Sequence, residues 1–195
     1  MTEENFKKLL EEGSKENTIS PEFLIEVKKA LNGSVSNDKY VAFWGSCFSN
    51  FFPCHFTLDK KVWTSSEKYF MYMKAITFND NEIAEKIYEL DDPRQIKALG
   101  RKVKNYSEEV WDKLREEIMY KAVKAKFEQD GLCNYCILNY LSQEFIEGSP
   151  YDKIWGVGIA YNDEKIFNKD NWLGTNLLGK ILTKVRDEIT KSMYE

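Results

Sequence analysis

Two groups able to do acid–base and covalent chemistry stand seven residues apart in the stretch from Thr64 to Lys74, which reads TSSEKYFMYMK. On a helix they lie two turns apart on one face, roughly 10 Å along the axis. A buried carboxylate such as Glu67 can move a proton, and an amine such as Lys74 can attack an electrophilic carbon once it is neutral. Tyr69, Phe70, Met71, Tyr72 and Met73 put bulky side chains nearly all the way round this helix. The same residues also have a structural reading. Thr64 and Glu67 show the S/T-x-x-E spacing of a capping box, in which each side chain satisfies the other's backbone N–H.

Further candidates lie on loops. Phe48-Ser49-Asn50-Phe51 mixes rings with polar groups. An Asn in such a loop can hydrogen-bond a sugar or base while the aromatics wall a pocket; the alternative is an Asx turn beside core phenylalanines. Gly100-Arg101 ends a helix, where Arg either complements the dipole or holds a phosphate in its planar fork. Trp111 and Arg115 share a helical face, with the Trp either core or a stacking platform for a base. The segment Ser149-Pro150-Tyr151-Asp152-Lys153-Ile154-Trp155-Gly156-Val157-Gly158 joins an acid to an aromatic-Gly-x-Gly turn, where glycines admit close backbone approach. Asp152 either acts there or caps the turn. Asn176 is the expected cap of the last helix, whose first N–H groups could bind an anion.

The one histidine, His55, falls in an expected strand and reads as structural, so chemistry must run on carboxylates, amines and hydroxyls. Cys133 and Cys136 have C-x-x-C spacing, but Cys47 and Cys54 are too far apart to complete a four-cysteine zinc site. All four read as reduced, partly buried thiols. No metal and no cofactor is expected.

The elements that must position these groups are mostly helices. Residues 2 to 12 read as an amphipathic helix stopped by Gly13. Ser20-Pro21 opens a second helix, with Phe23, Leu24, Val27 and Leu31 on one face and Asn32-Gly33 at its end. Tyr40 to Trp44 is a strand, and His55 to Trp63 a hairpin around Leu58-Asp59-Lys60-Lys61. Helices follow over 81–90, from Asp92-Pro93 to about Lys102, and from Ser107 with Trp111, Leu114, Ile118, Ala122 and Ala125 inward. Another spans 132–141, a short strand 145–147, and a last helix about 176–190. Residues 148–176 form a long irregular segment, a length often tied to function. The expected fold class is mainly α, a single helical domain with a few short strands. Residues 1–36 read as a helical appendage and 37–195 as the main domain.

With 195 residues, 43% hydrophobic and 14% aromatic, the chain can bury a core without staples. A net charge of −4 gives no long-range attraction to nucleic acid, although a local basic patch is compatible with it. No apolar run approaches the roughly 20 residues of a membrane span. The acidic, amphipathic N-terminus is unlike a signal peptide, so a cytoplasmic protein with no membrane partner is expected.

Taken in order, these pieces resemble the NADAR family. The matching elements are FSNF at 48–51, WTSSEKYF at 63–70, Lys74, LGR at 99–101 and W-x-x-x-R at 111–115. AKF at 125–127, SPYDKIWGVG at 149–158 and GTNLLGKIL at 174–182 with Val185-Arg186 complete the set. The resemblance spans about residues 40–189 and leaves the first 36 outside. It implies hydrolysis of N-glycosidic bonds, with two substrate classes: phosphoribosylamino-pyrimidine intermediates of riboflavin biosynthesis, and ADP-ribose attached to guanine in nucleic acid. It carries an essential Glu onto Glu67, a Trp onto Trp111, an Asp onto Asp152 and a proposed Schiff-base lysine onto Lys74. Phe48, Ser49, Asn50, Arg101, Trp155, Gly156, Gly158 and Asn176 are then the expected substrate-binding residues. Lys68 stands where the family usually has His, and Met71-Tyr72-Met73 where it usually has Gln-Ala; both departures bear on substrate detail. A non-catalytic reader of ADP-ribose or a nucleotide is the competing reading, and a partner-binding protein that uses the N-terminal helices is a third.

Overall fold

A computed structural model describes residues 19–195, and among them the chain is mainly α-helical with short strands, as the sequence led us to expect. The helix expected over residues 2 to 12 lies outside the described residues. In chain order the elements are α1 (Pro21–Ala30), β1 (Ser34–Ser36), β2 (Tyr40–Phe43), β3 (Phe56–Leu58), β4 (Lys61–Trp63), α2 (Ser66–Thr77) and α3 (Asn81–Glu89). Then come α4 (Pro93–Gly100), α5 (Glu108–Gln129), α6 (Gly131–Leu138), β5 (Glu144–Glu147) and α7 (Leu177–Ser192). Two single turns of 3-10 helix, Glu164–Phe167 and Lys169–Asn171, precede α7. The described residues form two compact units: Asn50–Asp130, and residues 19–49 together with Gly131–Glu195.

In the split unit, Ser20 caps α1 by accepting the Phe23 N–H at 3.2 Å, and Pro21 occupies the first turn. Leu24, Val27 and Ala30 are buried, and the Phe23 ring meets Tyr135 of α6 edge-on at 5.2 Å. β2 pairs antiparallel with β1 and parallel with β5, giving the order β1-β2-β5. Ala42, Ile146, Val157 and Ile166 form one core cluster. Phe43, Phe48, Tyr140 and Phe145 form a second knot of rings, with centroids 4.8–6.1 Å apart. Arg186 is buried on α7, where its guanidinium donates to the carbonyls of Tyr140 and Gln143. A charge there is tolerated because backbone oxygens surround it.

In the continuous unit, β3 and β4 make the expected hairpin. Its two central residues, Asp59 and Lys60, have φ of 51° and 62°, the pattern of a type I′ turn. Thr57 and Gln129 exchange two hydrogen bonds, 2.8 and 3.0 Å, that tie β3 to the end of α5. Tyr69, Tyr72 and Tyr88 pack edge-on around Trp63 at 5.1–5.4 Å.

Several local expectations need correction. Thr64 and Glu67 do not form a capping box. The N-cap is Ser65, which accepts from Lys68 N–H at 3.1 Å, while the Thr64 hydroxyl donates to Asp91 at 2.9 Å. The Glu67 N–H donates to the Asn50 carbonyl at 3.0 Å. Leu114 is 40% exposed rather than inward, because Ile118, Met119, Ala122 and Val123 take the buried side of α5. α4 stops at Gly100 with Arg101 as its C-cap, short of Lys102. His55 is exposed and precedes the strand.

Candidate functional site

α2 carries the most chemistry, and its angular arrangement explains why. At about 100° per residue, Ser66, Phe70, Lys74, Glu67 and Phe78 fall on one arc, while Tyr69 and Tyr72 turn toward the hairpin and Lys68 toward α3. The arc with Glu67 and Lys74 meets α5, where Trp111 is buried against Phe70 at 4.9 Å and Phe78 at 6.5 Å. Glu67 is only 4% exposed. Its backbone is pinned to the Asn50 carbonyl, which brings the FSNF loop's asparagine to the same helix. Asn50 is itself buried.

Lys74 is half-buried, and its Nζ lies 4.2 Å from the centre of the Tyr106 ring. Burial is the largest cause holding this ammonium below the ordinary lysine value. Arg101 pushes the same way, and the Glu67 carboxylate opposes both. Arg101 reaches the neighbourhood because α4 lies close against α2: a Cβ on Gly100 would run into the Met71 side chain. Glu67, Lys74, Arg101, Trp111 and Asn50 are thus grouped around one helix, two of them coupled to Lys74 electrostatically.

Lys68, the residue where the family usually has His, is turned out of this arc. Its ammonium pairs with Asp91 at 3.1 Å and lies 5.3 Å from the centre of the Tyr88 ring. The Asp91 carboxyl falls below the usual carboxylate range, first through its hydrogen bonds from Lys68 and Thr64.

The remaining expected residues lie in the other unit. Phe48 is fully packed in the ring knot, and Ser49 is buried beside it, its N–H bonded to Ser46. Asp152 caps its turn: one carboxylate oxygen accepts the N–H groups of Ile154 and Trp155 at 2.9 and 2.8 Å. The stretch from Lys153 to Val157 is sewn to 173–178 by bonds from Leu173 to Val157, Thr175 to Lys153, Asn176 to Gly156, Leu177 to Ile154 and Leu178 to Trp155. Gly156 is needed because a Cβ would crowd the carbonyls of Asp152 and Glu147; Gly158 takes φ of +73°. Asn176 does not cap α7 with its side chain. Its amide instead joins Glu147 N–H and the Phe145 carbonyl at 3.0 and 2.9 Å. The N–H groups of Leu177 and Leu178 are spent on carbonyls, so the anion site expected at this helix start is not formed there.

Two residues near Glu67 and Lys74 escaped the sequence reading. Tyr106 stands just before Ser107, the cap of α5, where a hydrophobic staple residue belongs, and that position was the signal for it. The Ser66 hydroxyl is buried with no hydrogen-bond partner among the described residues. No group of three or more metal-ligating side chains occurs among the described residues, and the four cysteines are buried free thiols. Among the described residues no helix is long and apolar enough to cross a membrane.

The chain is similar to known proteins over most of its length. The NADAR domain profile matches residues 42–190. The Caenorhabditis elegans protein irg-1 is 36% identical over 176 residues, covering 80% of this chain and 83% of that one. N-glycosidase R617 of Acanthamoeba polyphaga mimivirus is 34% identical over 167 residues, covering 79% of this chain and 98% of that one. The NMR structure of the E. coli protein YbiA superposes with a TM-score of 0.68 at 26% identity, covering 87% of this chain and 95% of that one.

Proposed function

The chain belongs to the NADAR family, and from that premise we propose that it is a hydrolase of ribose–base N-glycosidic bonds. The observation that carries the reading is the buried Glu67 carboxylate sharing one face of α2 with an amine whose charge is disfavoured. N-glycoside hydrolysis breaks the C1–N bond. Water's oxygen ends on C1, and a proton ends on the departing base. Positive charge grows on the sugar as the bond breaks, and a desolvated carboxylate stabilises it more strongly than one in water. Glu67 is placed to move the proton or activate the water.

Lys74 adds a second route. As the neutral amine it attacks C1 and the base leaves with one of the amine's protons; the ring C1–O4′ bond then breaks, O4′ takes the remaining N–H proton and C1=N forms, and water adds to this Schiff base to release the sugar and restore the amine. A lowered Lys74 pKa enlarges the neutral fraction at neutral pH. Arg101 is exposed and offers a planar fork to a phosphate of the substrate. The Asn50 amide offers a donor and an acceptor to sugar or base. Trp111 shapes the apolar side of the site.

The substrate reading is ADP-ribose on guanine or a phosphoribosylamino-pyrimidine. Both present a ribose C1–N bond and at least one phosphate. The test is to incubate the protein with guanine-ADP-ribosylated DNA and, separately, with the pyrimidine intermediate, with Lys74→Ala alongside. Release of ADP-ribose assigns the first substrate, and cleavage of the second alone assigns the metabolite. A borohydride-trapped adduct lost in Lys74→Ala identifies the Schiff base. Binding of ADP-ribose without cleavage of either substrate overturns the reading in favour of a non-catalytic module.

A further inference from the structure

We infer that Tyr106 is a positioning residue for the Lys74 amine, its ring face holding the charged amine over the buried arc of α2. This rests on the reading of Lys74 as a site amine. Lys74 Nζ is 4.2 Å from the Tyr106 ring centre, within the range of cation–π attraction. The ring packs against Phe78. Phe78 meets it edge-on at 5.3 Å, and Phe78 in turn lies 6.5 Å from Trp111. The staple expected between the residue before the cap and the fourth residue of α5 is thereby bridged by Phe78.

The chain on either side is also fixed. Before Tyr106, Lys104 N–H donates to Asp80 at 2.9 Å, and Asn105 takes φ of 55°. After it, Ser107 caps α5. Tyr106 is nonetheless 43% exposed, more than a residue kept only for packing needs to be. The charged groups acting on Lys74 are Arg101 and Glu67, and those acting on Tyr106 are Glu108, Asp112 and Arg115. Burial and the two carboxylates raise the Tyr106 phenol above its usual range, so the ring stays neutral while Lys74 titrates. An attacking amine needs a fixed direction before it loses its proton. A ring face supplies that with a weaker hold on the proton than a carboxylate at the same distance would have.

The test titrates Lys74 directly, by the pH dependence of its acylation with acetic anhydride, read by mass spectrometry of its peptide. No substrate is needed, so the answer is independent of whether the N-glycosidase reading stands. Tyr106→Leu keeps an apolar cover but removes the ring, so the midpoint should fall by about half a pH unit to one and a half. Tyr106→Phe keeps the ring and should keep the wild-type midpoint. An unchanged or raised midpoint in Tyr106→Leu overturns the inference. So does a Tyr106→Phe midpoint as low as the leucine variant's, since the hydroxyl would then be responsible. Should the leucine variant not fold, Tyr106→Trp decides: the larger ring raises the midpoint, and a lowered one contradicts the role.

Discussion

The backbone N–H of Glu67 donates to the carbonyl of Asn50 at 3.0 Å, joining the loop that carries the asparagine to the helix that carries the acid. The bond uses no side chain, so it survives substitution at either residue. Asn50→Ala removes only the amide. If that amide binds sugar or base through one hydrogen bond, KM should rise about tenfold, with kcat within about threefold. Steady-state kinetics at varied substrate check it. An equal loss in kcat alone would move Asn50 from binding to transition-state stabilisation.

Gly100 sets the approach of α4 to α2. An alanine there would overlap the Met71 Sδ and crowd its Cγ and Cβ. Overpacking of this kind costs about 1–3 kcal/mol, or roughly 2–4 °C in Tm per kcal/mol for a chain of this size. Calorimetry of Gly100→Ala should show that loss, and Met71→Ala in the same background should recover part of it by making room.

The acylation midpoint of Lys74 should respond to its two charged neighbours with opposite signs. Arg101 disfavours the ammonium, so Arg101→Ala raises the midpoint; Glu67 favours it, so Glu67→Gln lowers it. In the wild type the midpoint lies below that of an ordinary lysine. The neutral amine, and with it the borohydride-trapped adduct, therefore increases as pH rises through a lower range than for a free lysine. Both variants moving the same way would contradict the electrostatic account.

Lys68 and Asp91 make a stability prediction. The Asp91 carboxyl is depressed by its bonds to Lys68 and Thr64, so its contribution is present above the unfolded carboxylate value. It is lost as pH falls through the folded one. Asp91→Asn leaves the buried Lys68 ammonium without its counter-ion and should cost about 1–2 kcal/mol near neutral pH. Because Asp91 itself is exposed, the lower end is expected. Urea unfolding at neutral and strongly acid pH should show the gap between wild type and variant closing in acid.

What the sequence disclosed follows from how local each signal is. Ser20 and Ser107 lie next to their helices and cap them as read, and Asp92 caps the helix expected to start at Asp92-Pro93, because capping needs only neighbouring residues. The start of α2 was misread because Thr64, Ser65 and Ser66 are all competent caps. Asp91, twenty-seven residues on, draws Thr64 away and leaves the role to Ser65. Asn176 fails as a cap for a similar reason: β5 needs its side chain for the Phe145 carbonyl and the Glu147 N–H. Glu67 and Lys74 could be placed on one face by period alone. The coupling of Lys74 to Arg101 and Tyr106 could not, since it depends on how closely α4 and the start of α5 pack on α2.

The measurement that tests the central claim most directly is turnover and equilibrium binding of Glu67→Gln, side by side with the wild type, on whichever N-glycoside the wild type cleaves. The account expects binding within a few fold and cleavage reduced by about 10²–10⁴, since glutamine keeps the shape and loses the proton chemistry. Cleavage by Glu67→Gln at the wild-type rate would contradict the assignment of the acid.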